Sequence, residues 1–387
     1  LTGKGLMKII NVVGARPNFM KIAPIYEELR KYPEVFKIIL LHTGQHYDQM
    51  LSDSFFEDLK IPKPNIYLGV GSGSHAQQTA KILVKFEKVL FGERPDLVLV
   101  VGDVNSTLAC SLAAAKLHIP VAHVEAGLRS FDREMPEEIN RVLTDHLADF
   151  LFTTCLDANE NLRNEGIEDK KIHLVGDVMI DTLIKYKDIA KRRSILKRLA
   201  LKRKDYALLT LHRPSNVDDK KALADILDAL EEVQKRIKII FPIHPRTKKQ
   251  IKKFNFESYF NFLNSRFTIC DSKINCLEPL GYIDFLQLMS NAKLVLTDSG
   301  GMQEETTYLK IPCLTLRENT ERPVTIKEGT NILVGRDNKK IIKESFNILD
   351  GKKRQGKRLK LWDGKASKRI VKVLARSANN RRTRVFT

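Results

Sequence analysis

The sequence predicts an α/β protein with parallel sheets arranged in two domains. Short apolar runs alternate with helix-like segments along almost the whole chain, the pattern of strands connected by covering helices. Its 387 residues are more than one core usually organises. No period of about 20–50 residues recurs, which excludes solenoids and propellers. No apolar run approaches the length of about 20 residues that a membrane-spanning helix needs.

Taken in order, Lys8-Ile9-Ile10-Asn11-Val12-Val13 reads as the first strand. Gly14-Ala15-Arg16-Pro17 follows, with Pro17 suited to a first helical position and Arg16 and Lys21 adding cations near the helix start. Ile38–His42, Leu97–Val101, Val121–Val124, Phe150–Thr153 and Ile172–Val175 read as further strands of a first domain over residues 7–180. The basic, helix-like stretch Leu183–Lys204 reads as a connector, and Ala207–Leu211, Ile239–Ile243 and Leu294–Thr297 as strands of a second domain over 181–365. Residues 366–387 carry the end of the chain: Lys365–Arg376 reads as a last helix and Ser377–Thr387 as a polar tail with little to bury. The residues before Met7 are expected to be dispensable, and no secretory signal is visible.

The most informative stretch is Leu294-Val295-Leu296-Thr297-Asp298-Ser299-Gly300-Gly301-Met302-Gln303-Glu304-Glu305. A buried strand runs into a glycine turn, and Met302–Leu309 reads as the first turns of a helix. Ser299, Gly300 and Gly301 would offer N–H groups to an anion there, where the helix dipole also favours one. Glu304 or Glu305 could take the two hydroxyls of a ribose. With the Arg16–Lys21 turn, each half of the chain offers one phosphate-facing strand-to-helix junction. Neither has the glycines of a dinucleotide fingerprint or a Walker loop.

Carboxylates stand where α/β proteins place chemistry, beyond the carboxyl ends of strands. Asp103 follows Leu97–Gly102, Glu125 ends Pro120–Val124, and Glu137 follows Pro136 at the start of a helix-like segment. Alone, Asp103 and Glu137 serve equally well as helix caps. Glu125, between an apolar run and Ala126-Gly127, is poorly placed for solvent. His212 and His244 each end a strand of the second domain.

The net charge of +19 is segregated. Residues 350–387 hold 14 Lys/Arg against 2 Asp/Glu and residues 185–204 hold 10 against 1, so the remainder carries −2. These segments lack the interleaved aromatics of a nucleic-acid stacking platform, and no nucleic-acid partner is expected. Removing residues 378–387 is expected to leave turnover unchanged. Cys110, Cys155, Cys270, Cys276 and Cys313 have no metal-like spacing and read as reduced thiols of a cytoplasmic protein.

At its motifs the chain resembles the non-hydrolysing UDP-N-acetylglucosamine 2-epimerases. The resemblance rests on Gly14-Ala15-Arg16-Pro17 with Lys21, Thr43-Gly44-Gln45-His46, Gly102-Asp103, His123-Val124-Glu125-Ala126-Gly127-Leu128-Arg129, Pro136-Glu137-Glu138, Asn140-Arg141, Leu211-His212-Arg213, Asp298 to Glu305, and Thr320-Glu321-Arg322-Pro323. It implies two Rossmann-like domains facing across a cleft, the glycosyltransferase-B arrangement, with the last helix returning to the first domain. It implies a cytoplasmic homodimer that interconverts UDP-GlcNAc and UDP-ManNAc for cell-surface polysaccharide synthesis, with no cofactor, no metal and no integral membrane contact. By resemblance, Asp103, Glu125, Glu137 and His212 form the catalytic cluster. Arg16, Lys21, Arg141, His244, Phe285, Ser299, Gly300, Gly301, Glu305 and Arg322 contact the substrate, and Gln45 and His46 belong to a possible second substrate site.

The chain departs from the family pattern in places. His212-Arg213-Pro214-Ser215-Asn216 stands where common members read His-Arg-Arg-Glu-Asn, and Leu280 replaces a glutamine near the uracil. Ser72-Gly73 replaces the Arg-Gln pair of members that their own substrate activates. Two enzyme rivals share the architecture: a 2-epimerase of a modified UDP-sugar such as a 2,3-diacetamido uronic acid, and a UDP-sugar-dependent glycosyltransferase, which has no need of the acids. A nucleotide-sugar sensor is the non-enzyme rival.

Overall fold

The computed structural model describes residues 6–45, 62–263, 269–352 and 354–384. The chain divides into two compact units, one of Leu1–Thr182 with Lys360–Thr387 and one of Leu183–Leu359.

The first unit is a parallel sheet of β1 (Met7–Val13), β2 (Phe36–His42), β3 (Ile66–Tyr67), β4 (Leu97–Val101), β5 (Val121–Ala126), β6 (Phe150–Thr153) and β7 (Ile172–Leu174) in the order β3-β2-β1-β4-β5-β6-β7. Its central strands are apolar along their length because helices cover both faces. Ile9, Ile10, Val98, Leu99 and Val100 have no exposed surface, and each such side chain contributes about 1.5–3 kcal/mol of burial free energy. The helix His75–Glu93 begins with a capping box in which Ser74 Oγ accepts from the Gln77 amide and Gln77 Oε1 accepts from the Ser74 amide.

The second unit repeats the plan with β8 (Tyr206–Thr210), β9 (Lys238–Pro242), β10 (Phe260–Phe262), β11 (Ile274–Leu277), β12 (Leu294–Thr297), β13 (Cys313–Thr315) and β14 (Asn331–Leu333), in the order β10-β11-β9-β8-β12-β13-β14. The predicted strands Leu97–Val101, Phe150–Thr153 and Leu294–Thr297 coincide with β4, β6 and β12. Five strands escaped the sequence reading, β3, β10, β11, β13 and β14, each of two to four residues. In each unit the strand order reverses beside the first strand, at β1/β4 and β8/β12, the kind of position where open α/β sheets bind ligands beyond the strands' carboxyl ends.

The stretch read as a helical connector is largely helical: the helix Val178–Lys191 runs through the boundary at Thr182, and Ile195–Arg198 forms a second short helix. One expectation needs correction, since the last helix spans Ala366–Arg384, not Lys365–Arg376. Ser377-Ala378-Asn379-Asn380 contains no glycine or proline to stop it, and Ala378 is buried. A truncation after Ser377 would therefore cut a helix rather than trim a tail. All five cysteines are free thiols, with Cys270 alone half-buried and the rest buried. Among the described residues no helix is long and apolar enough to cross a membrane.

The return of the chain to the first unit is pinned by polar contacts. Buried Asp181 accepts from the Ala366 amide (3.0 Å), the Ser367 amide (2.8 Å) and Ser367 Oγ (2.7 Å), closing the amino end of the last helix. Just ahead of it, fully buried Trp362 donates from Nε1 to the Thr154 carbonyl at 3.1 Å. Asp181→Ala should cost about 1–2 kcal/mol, the upper range for a lost helix cap. The check is urea unfolding followed by fluorescence of Trp362, the single tryptophan of the chain. An unchanged midpoint would show that the cap contributes nothing.

Candidate functional site

In the first unit, three strand ends present the candidate residues. Asp103 follows β4 in an extended turn that leads to the helix Asn105–Lys116, whose N-cap is Val104 with no side-chain bond. Asp103 is thus not a cap. Its Oδ2 accepts from Arg141 Nη2 at 2.7 Å, and its carbonyl accepts from Asn140 Nδ2 at 2.9 Å. Arg141 and Asn140 both lie on the helix Pro136–Leu147, and Arg141 is also ion-paired with Glu138.

Glu125 lies within β5, where the pairing with β6 shifts between Val124 and Ala126 and Glu125 itself takes φ = 70°. A left-handed conformation is uncommon for a residue with a β-carbon and costs on the order of 1–3 kcal/mol. It turns the carboxylate to Lys21, with which it forms a buried ion pair; Lys21 reaches it from the helix Arg16–Leu29. Arg16 is the first residue of that helix. Glu137 occupies the first turn of Pro136–Leu147, half-buried and with no partner among the described residues. It is not a cap either, because Met135 holds the N-cap position.

Glu138 is a residue that the sequence reading left without a role. Its carboxylate accepts from the Ser130 amide, Ser130 Oγ and the Phe131 amide at 2.8–3.1 Å, fixing the loop that leads into this helix. Gln45 is buried and accepts through Oε1 from the Ser106 amide (3.0 Å) and Ser106 Oγ (2.6 Å), so its amide is committed within the fold. His46 lies outside the described residues.

In the second unit, His212 follows β8 and His244 follows β9, and their rings approach to 5.8 Å. Behind His212 sits Asp298, which has no exposed surface. Asp298 Oδ1 lies 2.9 Å from His212 Nδ1, while Oδ2 accepts from the His212 amide (2.9 Å), the Arg213 amide (2.8 Å) and Asn216 Nδ2 (3.3 Å). Burial works to raise this carboxyl, but the His212 ring and the backbone amides outweigh it and bring it down to about 2. A carboxylate directly after a strand in Asp298-Ser299-Gly300-Gly301 was the signal that could have found it. His244 is the N-cap of the helix Pro245–Phe254 and accepts from the Arg246 amide at 3.2 Å.

The Ser299-Gly300-Gly301 turn differs from expectation. The helix starts at Gly300, not Met302. The Ser299 amide is already committed to Thr297 Oγ1 at 3.0 Å, leaving the amides of Gly300 and Gly301 at the first turn for a ligand. Neither glycine has a positive φ. Gly300 is required for proximity instead, since a Cβ there would lie 2.5 Å from both Arg322 Nη1 and Glu321 Oε1.

Arg322 is buried and paired through Nε with Glu304 Oε1 (2.6 Å) and through Nη1 with Glu321 Oε1 (2.6 Å). Arg317 joins Glu321 Oε2 at 2.7 Å. Glu304 is therefore spoken for, which separates it from its neighbour. Glu305, equally buried, accepts a neutral bond from Tyr282 Oη at 2.7 Å. Burial pushes the Glu305 carboxyl up to about 7, with the Tyr282 bond opposing and Glu304 adding to the rise. Phe285 is half-buried on the neighbouring helix Tyr282–Asn291.

The family model for UDP-N-acetylglucosamine 2-epimerase matches residues 27–375. A UDP-N-acetylglucosamine 2-epimerase of Methanocaldococcus jannaschii is 48% identical over 95% of this chain and 99% of its own length. A UDP-2,3-diacetamido-2,3-dideoxy-D-glucuronate 2-epimerase of Pseudomonas aeruginosa is 41% identical, covering 96% and 100%. The crystal structure of the Methanocaldococcus jannaschii UDP-GlcNAc 2-epimerase in complex with UDP-GlcNAc and UDP superimposes with a TM-score of 0.87 at 46% identity, covering 95% of this chain and 99% of that one. The Neisseria meningitidis UDP-GlcNAc 2-epimerase bound to UDP-GlcNAc gives 0.84 at 31% identity, covering 96% and 100%. With two doubly wound parallel sheets and matches that run nearly end to end, the chain belongs to the UDP-N-acetylglucosamine 2-epimerase family.

Proposed function

We propose that the chain catalyses the reversible C2 epimerisation of UDP-N-acetylglucosamine to UDP-N-acetylmannosamine, by anti elimination of UDP to 2-acetamidoglucal and its re-addition. The observation that carries the proposal is the gathering of acids on adjacent elements of the first unit: Asp103 after β4, Glu125 in β5 and Glu137 on Pro136–Leu147. A glycosyltransferase of the same architecture has no need of them. No carbonyl flanks C2, so its proton becomes removable only as the C1–O bond breaks. The C1–O electron pair leaves with UDP, C1 and C2 become doubly bonded, and the C2 proton passes to a base. Re-addition, with a proton delivered to the opposite face, gives the epimer. The sequence of steps is redox-neutral.

The two units divide this work. The acids of the first unit fit proton transfer, typically worth about 10²–10⁴ in rate per group. In the second unit, the first-turn amides of Gly300–Leu309 and the Arg322 guanidinium fit the phosphates that carry the departing charge. Arg16 and Lys21 of the first unit are assigned to phosphate binding, Arg141 and His244 to the substrate's polar groups, and Phe285 to the uracil. His212, oriented by Asp298, is assigned to the reacting sugar or phosphate. Glu305 is assigned to the ribose diol. The reading extends to a cytoplasmic homodimer, for which sedimentation equilibrium is the direct test. The second reading, a 2-epimerase of the diacetamido uronic acid sugar, draws on the 41% identical relative.

Proton NMR in D₂O tests the reaction. Pure protein should interconvert UDP-GlcNAc and UDP-ManNAc and introduce deuterium at C2. Product that retains the original C2 hydrogen excludes elimination, and turnover confined to the diacetamido uronate sugar selects the second reading.

Asp103→Asn, Glu125→Gln and Glu137→Gln should each lower kcat by about 10²–10⁴ while changing UDP affinity little. Near-normal turnover in all three, measured by the same exchange assay, would make these carboxylates structural.

Glu305 predicts a pH effect of defined sign. Its carboxyl sits at about 7 in the free protein, so acidification through that value adds a proton and removes an acceptor from the diol. UDP affinity, measured by calorimetry, should weaken as pH falls, approaching about tenfold per pH unit on the acid side. Glu305→Gln should lose that component and keep only the titration of the UDP phosphate itself. Identical pH slopes in the two proteins would remove Glu305 from ribose binding.

A further inference from the structure

The three acids of the first unit sit on three different pieces of backbone, and one buried pair of side chains touches all three. His123, in β5 two residues before Glu125, has no exposed surface. Its Nε2 lies 2.8 Å from the Gly102 carbonyl, next to Asp103, and its Nδ1 lies 2.6 Å from Asp145 Oδ1. Both ring nitrogens are thereby engaged, one by a backbone carbonyl and one by a carboxylate. Asp145 lies near the far end of Pro136–Leu147, the helix that begins beside Glu137. Its other oxygen accepts from the Gly127 amide at 3.0 Å, two residues beyond Glu125.

The backbone that this pair holds is under conformational constraint. Gly102, Glu125 and Gly127 take φ values of 70°, 70° and 77°. At Gly127 a Cβ would also come within 2.3 Å of the Ala158 carbonyl oxygen, so no other residue fits. Left-handed backbone at Glu125 and Gly127, and at Gly102 beyond the neighbouring strand, persists only when surrounding contacts hold it. On the far side, Arg129 closes the network, with Nη1 2.7 Å from Asp145 Oδ2 and Nη2 2.6 Å from Glu165. Burial alone would raise the Asp145 carboxyl; the His123 ring, Arg129 and the Gly127 amide outweigh it and hold it below its ordinary range.

We propose that His123 and Asp145 are positioning residues for the acid cluster, holding the Asp103 turn and the Glu125 turn in register against the helix that carries Glu137. The proposal rests on the epimerase reading for its kinetic consequence but not for its geometric one. Proton transfer across a bound sugar tolerates little displacement, and a misplacement of about 1 Å costs about 10²-fold in rate. Neither residue needs to touch the substrate.

The test uses His123→Asn, Asp145→Asn and, as a control at the outer end of the network, Glu165→Gln. Asparagine at 123 keeps a donor for Asp145 and loses the reach to Gly102; asparagine at 145 keeps shape and loses the carboxylate. Each should lower kcat by about 10–10²-fold with UDP affinity changed by less than about threefold, while Glu165→Gln keeps wild-type kcat. A second readout requires no turnover. In carboxyl ¹³C spectra of glutamate-labelled protein, the signal that disappears in Glu125→Gln identifies Glu125. That signal should move and titrate differently in His123→Asn and Asp145→Asn, and stay in place in Glu165→Gln. An unmoved signal with wild-type kcat overturns the proposal, as does failure of both inner variants to fold, which would assign the pair to stability alone. Lack of C2 exchange by the wild type overturns the epimerase reading instead, with the carboxyl signal still deciding the positioning role.

Discussion

Charge taken out of water has to be matched, and this constraint organises the ends of both sheets. An unpaired carboxylate in a protein interior costs several kcal/mol, so it is either paired or neutralised. Glu125 is paired with Lys21, Asp145 with His123 and Arg129, Glu304 with Arg322, and Glu321 with Arg322 and Arg317. Glu305 is bonded to the neutral Tyr282 hydroxyl and gives way in the other manner, its carboxyl rising to about 7. Two adjacent glutamates on one helix are thus treated differently: Glu304 is ion-paired with Arg322, whereas burial raises the Glu305 carboxyl and the Tyr282 bond only opposes that rise. A ribose diol, which needs acceptors, would replace the missing charge partner of Glu305 with two donors.

Much of this was legible in the sequence, and the limits were physical. The long central strands declared themselves because burial on both faces makes them continuous apolar runs, as in Leu97–Val101. The short strands β3, β10, β11, β13 and β14 did not, and neither did the continuation of the last helix past Arg376, where Ser377, Asn379 and Asn380 lower helix propensity without stopping the helix. Asp103, Glu125 and His212 were singled out because strand ends mark chemistry in α/β folds. Asp298, directly after a strand, carried the same signal and was given no role, whereas Asp145 and Glu138 lie inside a helix and have no signature of their own until the partners they hold are known. Gly300 was read for its flexibility, whereas the structure uses its lack of a side chain to admit Arg322 and Glu321.

The two units solve one problem twice. In each, a histidine in or just after a central strand is gripped at Nδ1 by a fully buried aspartate, which also accepts a backbone amide from the adjoining turn: His123 within β5 with Asp145 and the Gly127 amide, His212 beyond β8 with Asp298 and the Arg213 amide. The difference lies at the other ring nitrogen. In His123, Nε2 is spent on the Gly102 carbonyl and the ring has no exposed surface. The His212 side chain is 40% exposed. The same aspartate grip thus makes a fastener where the second nitrogen is occupied, and an oriented, partly exposed imidazole where, among the described residues, it is not. That exposure agrees with the chemistry proposed for His212 from the family pattern, since depth and partner set the role that residue type leaves open.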